Sequence, residues 1–180
     1  MPDLPLLPEQ ITTERLILRP FTLEDTEACH PWFSDPEVMK FIPGGRDTTL
    51  ADTQHRIQRY LDHGQRYGFT KWLITDRITG ALLGDGGLYH LPDGDSRVEL
   101  GFRLARPHWG QGYAAEMGRA WMDLFPRLCP GQPLHGIVMS THRQSQKVLE
   151  KLGFELEGTE EIYGCEMRVY LARFAGGLEA

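Results

Sequence analysis

Between Val98 and Phe125 the spacing of apolar residues changes once, and sharply. Val98, Leu100, Phe102 and Leu104 alternate with Glu99, Gly101 and Arg103, the period of a half-buried strand. Tyr113, Ala114, Met117, Ala120, Trp121, Leu124 and Phe125 then fall on one stripe, the period of an amphipathic helix, with Pro126 as its expected stop. Arg106-Pro107-His108-Trp109-Gly110-Gln111-Gly112 joins the two. A strand that passes through glycines into such a helix calls for a sheet with helices packed on it.

The rest of the chain fits that frame. Arg15-Leu16-Ile17-Leu18-Arg19 reads as a first strand, stopped by Pro20. Thr22-Leu23-Glu24-Asp25 is a capping-box-like helix start, and the short helix is expected to end near Pro36. Thr49-Leu50-Ala51-Asp52 repeats the signal, and Leu50, Ile57, Tyr60 and Leu61 give a helical face up to Gly64. Phe69 to Thr75, a turn at Asp76 to Gly80, Ala81 to Tyr89 and a second turn at Pro92 to Asp95 lead to the strand at Val98, an antiparallel meander. His135 to Ser140 reads as a further strand. Val148, Leu149 and Leu152 mark a helix that Gly153 ends, and Phe154 to Glu157 and Arg168 to Phe174 read as closing strands. The sum is one α+β domain over residues 12–174, with a mostly antiparallel mixed sheet of about six to seven strands and about four helices. Residues 1–11 are Pro-rich and expected to be loosely attached, and 175–180 form a tail.

Composition removes several classes. With 41% apolar and 24% charged residues in a chain of 180, a packed core is expected, not disorder. No apolar run is long enough to span a bilayer, and Met1 to Pro5 lacks the basic start of a signal peptide. A net charge of -6 argues against nucleic acid and weakly suits a cationic amine. Cys29, Cys129 and Cys165 are odd in number and carry no C-x-x-C spacing, which points to a reduced, cytoplasmic protein without a disulfide framework. No H-E-x-x-H occurs among the seven histidines, and no metal is expected.

The chemistry concentrates at Trp109-Gly110-Gln111-Gly112-Tyr113-Ala114. Glycines let backbone approach a ligand, and the first N–H groups of a helix have no internal acceptor, so a phosphate site forms without many basic side chains. A plain glycine connector is the alternative. Gly110-x-Gly112-x-x-Ala115 also matches the dinucleotide fingerprint. However, Ala105 to Trp109 separate it from the strand, the next strand ends in Ser140-Thr141 without an acid, and hairpins precede it, all against that reading.

Several blocks carry a resemblance: Thr13-Glu14-Arg15-Leu16-Ile17-Leu18-Arg19-Pro20, Asp35-Pro36-Glu37-Val38-Met39, Gly80-Ala81-Leu82-Leu83-Gly84, Val98-Glu99-Leu100-Gly101-Phe102, the glycine loop, and Ser145-Gln146-Lys147-Val148-Leu149-Glu150-Lys151-Leu152-Gly153-Phe154. In this order the chain resembles the GNAT acetyltransferases, especially their Rim-type branch, which modifies protein N-termini. The family loop pattern is [QR]-x-x-G-x-[GA]. Trp109 takes its first place, and Gly112 and Ala114 fit. The resemblance implies a GNAT-like fold using acetyl-CoA. Trp109, Gly110, Gln111, Gly112, Tyr113 and Ala114 would surround the diphosphate, and the strand edge at Phe102 and Leu104 would meet the pantetheine arm. Splaying of that strand from residues 137–140 would open the slot for the thioester.

Acyl transfer to an amine needs a neutral amine, donors to the oxyanion and a proton for the thiolate. Glu99 is the first choice for the base; the alternatives are a solvated strand glutamate or an ion-pair partner of Arg103. Gly101 suggests a bulge beside it. Ser145 matches the serine of the family pattern N-x-x-S and is the first choice near the sulfur, or else a helix-end hydrogen bonder. His142 replaces the asparagine, as a substitute contact or an exposed ring. The helix tyrosine of many relatives corresponds to Leu149, so that acid is missing. Tyr163 and Tyr170 are open candidates for the acceptor side, as is the loop Phe41 to Thr49, and Trp32, Trp72 and Trp109 are either core or acceptor-pocket walls. The stripe on the long helix reads as core, and Cys165 has no partner histidine for a nucleophile's role. The expected activity is direct acetyl transfer to a primary amine, a protein N-terminus or a small molecule, by a monomer or homodimer. Detoxification of an antibiotic or polyamine, or a CoA-binding sensor without catalysis, are the alternatives.

Overall fold

The computed structural model describes residues 7–174. In chain order the strands are β1 (Ile11–Thr12), β2 (Leu16–Arg19), β3 (Lys71–Asp76), β4 (Leu82–His90), β5 (Val98–Leu104), β6 (Leu134–Met139), β7 (Phe154–Ile162) and β8 (Cys165–Ala172). They form one sheet in the order β1-β2-β3-β4-β5-β6-β8-β7, eight strands where six or seven were expected. All neighbours are antiparallel except β5 and β6. The additional strand is β1: Ile11 pairs with Leu18, and Leu7 and Ile11 pack on the core, so residues 7–11 are attached rather than loose. The expectations for 1–6 and 175–180 lie outside the described residues.

Four helices cover the sheet: α1 (Thr26–Phe33), α2 (Leu50–Tyr67), α3 (Tyr113–Leu128) and α4 (Arg143–Lys151). Of the two expected starts, the Thr22 box opens a 3-10 turn at Leu23–Asp25 that leads into α1, and the Thr49 box opens α2 directly. At α2 the Thr49 side chain accepts from the Asp52 N–H at 3.2 Å, and Asp52 accepts from the Thr49 N–H at 2.9 Å. Bonds from Thr48 and Thr49 bring the Asp52 carboxyl down to about 2. Two expected stops fail. Helix α2 runs through Gly64 to Gly68, which takes the left-handed cap at φ 79° and donates to the Gly64 carbonyl. Gly64 packs close to β3's lead-in: a Cβ would lie 3.1 Å from Thr70 Cγ2. Helix α3 passes Pro126, because the Cys129 N–H still reaches the Phe125 carbonyl at 2.8 Å and only one donor is lost.

Helices α1 and α2 cover one face, where Trp32, Phe33, Ile57 and Tyr60 pack with Leu73 and Tyr89. The main core lies on the other face, where Met117 and Trp121 of α3 and Leu149 of α4 meet Leu88, Leu100 and Val138. Under α1 and α2 a buried pair ties the layers. Arg103 donates to Asp85 at 3.0 Å through Nε and also to the Tyr60 hydroxyl, Asp85 accepts from the Trp32 indole at 3.3 Å, and the guanidinium stacks over Phe33. Arg103 is thus committed to Asp85, and the suggested Glu99–Arg103 pair does not form. Gly101 is no bulge either: β4 and β5 pair without interruption from His90↔Val98 to Gly84↔Leu104.

One gap in the sheet places the site. Parallel strands β5 and β6 are paired only at Val98↔Leu134 and Glu99↔His135. Beyond Glu99 they separate, as the resemblance implied.

Candidate active site

The glycine loop leaves β5 through a single 3-10 turn at Arg106–His108. Gly110 at φ 71° and Gly112 at φ 80° both take the left-handed conformation, in which a side chain costs about 1 kcal/mol or more. Gly112 is the N-cap of α3. Among the described residues, none of the amide N–H groups from Gly110 to Ala115 donates to a protein acceptor. A run of free amides from such a loop into a helix start is a concave, positive, anion-sized cradle. It fits a diphosphate. Trp109 turns back rather than inward: its indole N–H donates to the Leu104 carbonyl at 2.7 Å, and the ring is 42% exposed. That bond consumes one acceptor on the strand edge assigned to pantetheine. The Ala105 N–H turns to the Leu83 carbonyl of the β4 side, so by strand alternation Leu100, Phe102 and Leu104 present their N–H groups to the gap.

Glu99 is 8% exposed, on the α1/α2 face at the point where β5 and β6 part. Its Oε1 lies 3.6 Å from Lys71 Nζ and accepts from the Tyr163 hydroxyl at 3.4 Å. Among the described residues Oε2 has no partner. Gly101 lies beside this pair: a Cβ there would come within 2.8 Å of Lys71 Nζ. Tyr163 occupies the turn between β7 and β8 at φ 57°, followed by Gly164 at φ 69°, a hairpin geometry that aims the phenol back at the sheet. Burial, then the Glu99 charge, pushes its phenol above the ordinary range. Tyr170 lies elsewhere, fully buried, its hydroxyl directed to Glu150.

Ser145 lies in the first turn of α4, half-buried, and His142 is that helix's N-cap. His142 is not an exposed ring. It stacks on Phe41 with centroids 4.1 Å apart, and burial lowers its pKa. The loop after α1 therefore reaches the start of α4. Trp32 and Trp72 are buried in the two cores, the first of the two expected alternatives.

A groove of about 1030 Å³ runs past Gln111 and Gly112 along Thr13, Arg15, Glu116 and Arg119. Glu99 and Ser145 do not line it. It exposes a cluster that the sequence did not reveal. Glu116 accepts from the Thr13 hydroxyl at 2.6 Å, the Arg15 N–H at 2.8 Å and Arg15 Nε at 2.6 Å. Burial alone would raise the Glu116 carboxyl, but these bonds outweigh it and hold it low.

A sheet opened at one parallel pair, with an amide cradle at the mouth of the gap, is the framework of a known family. The acetyltransferase (GNAT) domain matches residues 15–155, and the chain belongs to the GNAT acetyltransferases, a superfamily of enzymes. It is 29% identical over 150 residues to the uncharacterized N-acetyltransferase p20 of Bacillus licheniformis, spanning 83% of this chain and 84% of that protein. An acetyltransferase from Agrobacterium tumefaciens str. C58 superposes with a TM-score of 0.80 at 27% identity, covering 93% of this chain and 95% of that one. RimL, a ribosomal L7/L12 alpha-N-protein acetyltransferase solved with coenzyme A, shares the fold at 19% identity, with a TM-score of 0.74 and coverage of 91% and 97%. No helix among the described residues is long and apolar enough to cross a membrane.

Proposed function

We propose that this protein transfers an acetyl group from acetyl-CoA directly to a primary amine, with a protein N-terminal α-amine as the acceptor class, as in the Rim-type branch. The observation that carries the reading is the run of unpaired amides from Gly110 to Ala115 beside a gap that starts at Glu99. Gly110 to Ala114 hold the diphosphate, and the edge at Phe102 and Leu104 aligns the pantetheine arm. The bound thioester supplies an activated acetyl carbon and a thiolate leaving group. Glu99 takes the proton from the amine on its unpaired Oε2. The Ser145 hydroxyl, at the start of α4, donates toward the sulfur, and His142 with Phe41 closes that end. An α-amine titrates near pH 8, against about 10.4 for lysine, so a single carboxylate suffices to deprotonate it.

The test pairs calorimetry with product detection. Coenzyme A is expected to bind in the micromolar range, and mass spectrometry is expected to show acetylated peptide N-termini in a panel of peptides, polyamines and aminoglycosides. No heat at millimolar coenzyme A overturns the loop assignment. Binding without any acetylated product overturns the transferase reading and leaves a CoA sensor. Acetylated polyamine or aminoglycoside alone moves the acceptor class to small molecules.

A further inference from the structure

We infer that Arg15 is a positioning residue that orients the peptide unit between Gln111 and Gly112, turning the Gly112 N–H toward the diphosphate. The inference rests on the diphosphate reading of the loop. One guanidinium makes three attachments. Its Nε donates to Glu116 Oε2 at 2.6 Å, an Nη donates to the Gln111 carbonyl at 2.8 Å, and its centre lies 4.5 Å from the centroid of the Tyr113 ring. Glu116 is itself fixed by the Thr13 hydroxyl and the Arg15 backbone N–H, so the anchor belongs to the segment that leads into β2.

A planar trans peptide points its carbonyl and its N–H in opposite directions. Holding the Gln111 oxygen on the Arg15 side therefore sends the Gly112 N–H to the other side. A loop with left-handed glycines at 110 and 112 is otherwise soft, because each glycine has access to more than one dihedral well. The guanidinium fork removes that freedom at one point. It also lies close against the backbone, since a Cβ on Gly112 would sit 3.4 Å from its other Nη. A lysine has no planar fork with which to hold Glu116, the Gln111 carbonyl and the Tyr113 face together.

The test uses Arg15→Met, with Glu116→Gln as a milder second variant that keeps the arginine but loosens its anchor. Two readouts are taken. Backbone amide order by 15N relaxation is measured on the ligand-free protein at Gly110 and Gly112. The kcat/KM is measured with acetyl-CoA and with S-acetylpantetheine, which lacks the diphosphate together with the phosphoadenosine beyond it. Both variants are expected to lose amide order at Gly112 without ligand. Arg15→Met is expected to lose about tenfold or more with acetyl-CoA and less than about twofold with S-acetylpantetheine, and Glu116→Gln less in the same pattern. Unchanged amide order in both folded variants overturns the inference, whatever the kinetics, because a mere charge facing the phosphate leaves the free loop undisturbed. Equal losses with both donors also overturn it. A wild-type enzyme that uses acetyl-CoA no better than S-acetylpantetheine overturns the diphosphate reading itself, while the relaxation data still judge Arg15.

Discussion

Glu99 sits where a carboxylate is costly unless it is paired, and its pairing is one-sided. Lys71 and Tyr163 both face Oε1, which keeps the group in place and leaves the other oxygen for an incoming amine. Glu99→Gln preserves the shape and removes the proposed base. We expect kcat to fall about 100-fold in steady-state assays while the calorimetric affinity for coenzyme A stays within about twofold. Loss of affinity on the same scale as turnover would place Glu99 in cofactor binding instead. Glu99 was legible in the sequence because strand alternation isolates it beside a glycine. Its partners were not: Lys71 arrives from β3 and Tyr163 from the tip of the β7–β8 hairpin, contacts that only the folded sheet creates. Arg15 reads in the sequence as the first residue of a strand that in fact begins at Leu16, and its hold on the loop is not legible there, since the carbonyl it meets is a backbone atom that any residue supplies.

Among the elements, β4 is the tightest joint. Gly84 has φ 155°, and a Cβ there would lie 2.0 Å from the Arg103 carbonyl oxygen of β5. Backbone, not a flexible side chain, stands in the way. Gly84→Ala is therefore expected to cost about 2–3 kcal/mol and lower Tm by roughly 5–10 °C in a thermal melt. An unchanged Tm would show that β4 and β5 part without cost. Helix starts were read well because a capping box is a local signal. Helix ends were read poorly at Gly64 and Pro126, where packing against Thr70 and a single lost donor in a last turn matter more than local propensity. Strand β7 was cut short at Glu157 because its acidic, exposed continuation to Ile162 shows no apolar alternation, and only pairing with β8 makes it a strand.

For the molecule as a whole, acid acts through a histidine joint between α2 and β4. His63 holds the Phe69 carbonyl at 2.8 Å through Nδ1 and meets His90 Nδ1 at 3.0 Å through Nε2, stacked on Tyr89. Burial above all, then the charges of His90, Lys71 and Arg66, brings its pKa down to about 4. The unfolded chain takes up this proton near pH 6.5 and the folded chain does not, so the contribution is complete above pH 6.5 and is lost as pH falls toward 4. Between pH 7 and pH 5 the Tm of His63→Gln is expected to fall by about 2–4 °C less than that of the wild type, whatever its starting value. Parallel declines would free His63 of this role. Strands β5 and β6 run the same way through the α3 crossover, yet their ladder stops after two residue pairs, and the backbone groups of β5 beyond Glu99 are left without a strand partner on that side. On the proposed reading, a change of acceptor would fall to the hairpin tip at Tyr163 and the loop at Phe41, with the donor's berth left as it is.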